Sequence, residues 1–281
     1  MLGALKQLDR LLRGEATRLT TLARGTIDVS ATGLCGVVVV LGMLYGLCMA
    51  SFAMIRTWGG ELARDGMLQV VATVVKVPVL FLLTLAVTFP SLYVFNALVG
   101  SRLSVVSMLR LLVAAMAVML AVLASFGTIV AFFSFTTTSY PFMLVLNVAV
   151  FAVSGSLGLV FLLQTLRRLT LVVEQPDVFA AAPPVPVVPA AATDGGVALG
   201  APPLPPHLPG ALEPLDGHVL GPNVRTIFRI WVVVFSLVGA QMAWVLRPFV
   251  GNPELHFTWF RARESNFFEG LARAITHLMT W

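Results

Sequence analysis

The sequence predicts an all-α fold: a polytopic helical membrane protein with about five transmembrane helices plus amphipathic N- and C-terminal helices. Three observations carry that prediction. Of 281 residues, 58% are hydrophobic and only 11% are charged, and mean hydropathy is +0.93; a soluble domain carries roughly 25% charged residues. The apolar residues gather into five long runs. The basic residues flank those runs and form no patch interleaved with aromatics, so they fit a role in topology and contact with anionic lipid headgroups, not nucleic acid. The chain divides into a basic N-terminal segment (1–30), a four-helix transmembrane core (31–168), a Pro-rich linker (169–224), a fifth transmembrane helix (225–248) and an amphipathic tail (249–281).

In the first segment Leu5, Leu8, Leu12, Leu19 and Leu22 recur at roughly helical spacing, with Lys6, Arg10, Arg13, Arg18 and Arg24 between them. That pattern reads as a basic amphipathic helix at the membrane surface or on the face of its own bundle. The first long apolar run starts only near Ala31 with no clear small-residue cleavage site after it, so the segment does not read as a signal peptide. Asp9 and Glu15 disfavour a transit peptide.

The first span, 31–55, carries Gly42, Gly46 and Ala50 at four-residue spacing, a stripe that lets another helix approach closely. Cys35 and Cys48 lie in the same span. On one helix they stand about 20 Å apart, too far to pair. The second span, 67–95, holds the costliest residues in the chain. Lys76 is the only charge between Val70 and Phe89, Pro78 follows two residues later, and Pro90, Tyr93, Phe95, Asn96 and Gly100 mark a bent or frayed exit toward Arg102. The third span, 111–135, has Ala117, Ala121 and Ser125 on one stripe; the fourth, 142–166, has Ser154 and Gly158. All of these small residues are candidate helix-packing positions.

The linker holds 12 prolines between Pro176 and Pro222 and keeps no apolar period, so it reads as disordered or polyproline-II-like: a spacer, or a ligand for an aromatic groove. The fifth span is 230–246. In the tail Phe268, Leu271, Ile275 and Leu278 share a helical face, Glu269 and Arg273 stand four apart, and Ser265 or Asn266 is placed to cap. With the N-terminus in the cytoplasm, eleven basic residues fall on the cytoplasmic side and six on the other, which puts the linker inside and the tail outside. Sixteen arginines against two lysines point to a GC-rich bacterial genome, hence a bacterial cytoplasmic (inner) membrane.

No catalytic constellation is present. His207, His218, His256 and His277 stand at no metal-ligand spacing, no span contains an acidic residue, and HExxH, CxxC, GxSxG, GxxxxGK[ST] and GxGxxG are all absent. The expectation is therefore a non-enzyme without cofactor or metal. Lys76 remains the functional-site candidate. Its stem can snorkel toward the interface, its ammonium can pair with Glu61 or Asp65, or it can line a polar cavity or meet a lipid headgroup. Asn96, Asn147, Gln164 and Gln241 suit interhelical hydrogen bonds, and Lys76 and Asn96 are candidate donors for the carbonyls that Pro78 and Pro90 free.

The string FPSLYVFNALVGSRLSVVSMLRLL, with Pro90, Asn96, Gly100 and Ser101, resembles the span exit of the Yip (Ypt-interacting protein) family, over roughly residues 67–166. The resemblance implies a cytoplasmic N-terminal region, five spans, a non-cytoplasmic C-terminus and membrane organisation or trafficking-type partner binding without catalysis. The expected function is a non-enzymatic membrane scaffold or accessory subunit with a membrane-protein partner. The alternative is a small transporter or channel subunit whose polar path runs past Lys76, Asn96 and Asn147.

Overall fold

The computed structural model describes residues 2–14, 30–98, 105–174, 222–262 and 265–280. Among the described residues seven helices follow in order: α1 (Leu2–Leu12), α2 (Ala31–Thr57), α3 (Ala63–Leu98), α4 (Val105–Thr136), α5 (Tyr140–Glu174), α6 (Pro222–Leu246) and α7 (Phe267–Met279). Four stretches among the described residues are long and apolar enough to cross a membrane: Ala31–Thr57, Ala63–Ser91, Met108–Thr136 and Tyr140–Thr165. The apolar part of α6, Ile230–Leu246, is shorter. Among the described residues there is no strand. The fold is that of a polytopic helical integral membrane protein.

The 36-residue α3 is about 54 Å long, well beyond the ~30 Å hydrocarbon core. It passes through both Pro78 and Pro90 without interruption, where the sequence predicts a bent or frayed exit. Helix-interior proline is tolerated at membrane depth when neighbouring helices support the turn, and Pro78 sits directly on Gly42 of α2. A Cβ added at Gly42 would come within 3.2 Å of Pro78 Cα and Cβ.

α2 lies between α3 and α4 and packs most extensively against both; α5 packs on α4, α6 on α3, and α7 on α5. The small residues set these approaches. A Cβ on Gly46 would meet the Thr73 carbonyl oxygen at 2.9 Å, and one on Gly158 would meet Met119 Cβ at 2.7 Å. Ala50, Ala117 and Ser154 are fully buried, whereas Ala121 is partly buried against the core. The Ser125 end of the α4 stripe is exposed, its hydroxyl turned back to the Ala121 carbonyl. Tyr45, Phe52, Leu120, Leu123, Met143 and Phe161 form the centre of the core. Arg56, at the end of α2, donates to the Thr137 carbonyl just past α4, satisfying a group the helix end leaves open.

α1 buries Leu8 and Leu11, while Leu5 and Leu12 are exposed. The buried stripe is therefore not the Leu5–Leu8–Leu12 row of the sequence pattern. Contact with α2 and α4 chooses a neighbouring face, and Ser30 bonds to Gln7 across that contact. Leu19 and Leu22, Gly100, Ser101 and Arg102, and the linker over residues 175–221 lie outside the described residues.

Candidate functional site

Beyond α6 the chain is not helical, and residues 247–262 run back along α3. Such backbone needs internal partners wherever water is excluded. α3 supplies them from one face, at positions 65, 69, 73 and 76, which repeat at helical spacing. Lys76 Nζ donates to the Pro248 carbonyl at 3.3 Å and to the Trp259 carbonyl. Gln69 Nε2 donates to the carbonyls of Pro248 at 3.2 Å and Phe249 at 3.0 Å. The Thr73 hydroxyl lies 2.7 Å from the Phe249 carbonyl oxygen. At the polar end of the row, Asp65 Oδ2 accepts from the Phe257 backbone N–H at 3.2 Å and lies 3.0 Å from His256 Nδ1. Donor side chains thus face carbonyls, and a carboxylate faces an N–H.

Lys76 is 4% exposed, and its ammonium also lies 5.9 Å from the Trp259 ring centre and 5.2 Å from that of Phe260. These are distances at which an aromatic face attracts a cation. Its hydrogen bonds go to the returning segment, not to Glu61 or Asp65 and not to carbonyls freed by the prolines. Gly251 lets the segment lie this close. Its φ is +74°, and a Cβ there would stand 2.6 Å from Gln69 Cγ and 2.9 Å from Ala53 Cβ.

Asn147 belongs to a different cluster. Its Oδ1 accepts from the Tyr45 hydroxyl at 2.7 Å and its Nδ2 donates to the Met143 carbonyl at 2.7 Å, tying α2 to α5. Phe151 meets Tyr45 edge-on and stacks on Phe81. Asn96 is 20 residues beyond Lys76 on α3, about 30 Å along the axis. Among the described residues no hydrogen bond links Lys76 to Asn147, and the Asn96 side chain lies outside them. Sequence reasoning missed Gln69, Thr73 and Tyr45. The first two share a face with Lys76, and Tyr45 is a lone phenol in an apolar span, so spacing and isolation were the available signals.

A second feature lies between α5 and α6, which touch only lightly. With α3 behind and α7 across one end, they enclose a cavity of about 740 Å³. Its walls are largely apolar, including Phe81, Leu144, Phe151, Leu159 and Phe235. α7 presents Phe267, Gly270, Leu271, Ala274 and His277 to it, while Phe268, Ile275 and Leu278 are exposed, which splits the apolar face read from the sequence. Asn266 caps α7 by accepting from the Glu269 N–H at 2.9 Å. Among the described residues no three His, Cys, Asp or Glu side chains come together to hold a metal.

The fold defines a class, the polytopic helical integral membrane proteins. Comparison with family models, with curated proteins and with solved structures yields no match in any of the three.

Proposed function

We propose that the protein is a non-enzymatic accessory subunit or scaffold of a membrane complex, Yip-like in organisation. It sits in a bacterial cytoplasmic membrane with its N-terminus in the cytoplasm. One observation supports this reading above the others: the described polar side chains on the inner faces of α3 and α2 are bonded to the protein itself. Lys76, Gln69 and Thr73 hold the returning segment, and Tyr45 and Asn147 hold each other. Groups occupied in this way organise a fold and are poorly placed for proton or ion transfer. The outward faces of α2 and α3 carry Leu44, Leu47, Val71 and Val87 at about half exposure, an apolar surface suited to lipid or a partner helix.

The test is affinity purification from native membranes in mild detergent, together with flux measurements on reconstituted protein. The expected result is a stoichiometric membrane-protein partner and no flux above empty vesicles. A solitary protein whose flux falls in Lys76→Met would replace this reading with the transporter alternative.

A further inference from the structure

We propose that the chamber between α3, α5, α6 and α7 binds an anionic phospholipid, with the phosphate at one end and the acyl chains running between α5 and α6. The chamber's size, about 740 Å³, falls among ligand sites of ~300–1,000 Å³. More decisive is how its chemistry is distributed. Among the described residues the ionisable side chains lining it, tyrosine aside, are Arg247, Arg261, Arg273 and His277, with no carboxylate among them. All four belong to the segment from the end of α6 onward, and Arg247 and Arg261 lie within electrostatic reach of Tyr140, the first residue of α5. The far end is Leu159 on α5 and Phe235 on α6.

Those positions set a length. From Tyr140 to Leu159 along α5 is about 28 Å, and from Arg247 to Phe235 along α6 is about 18 Å. Half of a hydrocarbon core is about 15 Å. A lipid with its phosphate among the arginines therefore has apolar wall beside it for the depth of one leaflet. The basic end is also organised before any ligand arrives. The Arg247 guanidinium lies 3.8 Å over the Trp244 ring and donates to the Ala262 carbonyl at 2.6 Å. Arg273 is held by Glu269 at 2.5 Å and Arg247 is tied to Trp244 and Ala262, so Arg261 is the principal contact and Arg247 a pre-oriented second one. A planar, pre-oriented guanidinium is the side chain best matched to a phosphate diester.

This goes beyond the accessory-subunit reading, and the two fail separately: the lipid assay is silent on partners, and co-purification is silent on lipids. The experiment is native mass spectrometry of delipidated full-length protein offered equal amounts of phosphatidylglycerol and phosphatidylcholine with the same acyl chains. The expected result is retention of phosphatidylglycerol about tenfold over phosphatidylcholine. Arg261→Gln, which leaves the Arg247–Trp244 stack in place, lowers that preference, and Arg247→Gln combined with it abolishes it. Ala240→Trp, which fills the chamber, removes both adducts while thermal unfolding shows the variant folded. Excess inorganic phosphate leaves the adduct in place, because the acyl chains contribute to binding. Equal retention of the two lipids, a phosphatidylglycerol adduct untouched by Ala240→Trp, or displacement by inorganic phosphate would each overturn the proposal.

Discussion

The two sides of the C-terminal segment treat charge in opposite ways. On the α3 side, Asp65, Gln69, Thr73 and Lys76 meet the segment's own backbone with matched polarity, donor to carbonyl and acceptor to N–H. On the chamber side, arginines from the same part of the chain stand around an apolar space whose described lining residues include no carboxylate. The contrast separates two uses of costly residues in a membrane protein. A buried cation with internal acceptors closes a fold. Cations gathered at one end of an apolar cavity leave room for an anion supplied from outside.

Substitutions on the two sides should therefore differ in kind. The largest stability loss is expected for Lys76→Met, which removes an ammonium bonded to two carbonyls, leaving the Trp259 carbonyl short of a donor and the Pro248 carbonyl with Gln69 alone. About 3 kcal/mol is expected, read as a lower unfolding temperature in detergent. Gly251→Ala comes next. It places a Cβ against Gln69 and Ala53 at a positive φ, with an expected loss of about 2 kcal/mol in the same assay. Tyr45→Phe deletes only the hydroxyl bonded to Asn147, so about 1 kcal/mol is expected and the aromatic contact with Phe151 stays. His256→Gln acts at a side chain that is 88% exposed, and no resolvable change in unfolding temperature is expected. On the chamber side, Arg261→Gln should leave the unfolding temperature near wild type while altering lipid retention. A large stability loss there, or none at Lys76, would erase the distinction between the two regions.

Much of this was legible in the chain, for reasons that can be named. Apolar runs of span length announce α2, α4 and α5, because a helix is what satisfies a backbone in hydrocarbon. The α7 cap was legible as Asn266 followed three residues later by Glu269. Gly42 and Gly46 were visible as a stripe, although nothing local says that Pro78 and Thr73 are what they meet. Local propensity misled at Pro78 and Pro90, where packing against α2 carries the helix through. It misled again in α1, where Leu11 and not Leu12 turns inward. Lys76 was conspicuous, but its partners lie more than 170 residues away, in a stretch with no periodicity to reveal where it docks. The chamber draws walls from Met49 to His277, so no single segment carries its outline.

The central claim is that the polar face of α3 holds residues 247–262 in place. Backbone hydrogen–deuterium exchange on the protein in lipid nanodiscs tests it directly, comparing wild type with Lys76→Met. The account predicts slow exchange at Phe257 and Arg261 in the wild type, faster exchange by about tenfold or more across the segment in the variant, and no change in α4. Exchange across residues 247–262 that is already fast in the wild type, or identical in the two proteins, would contradict it.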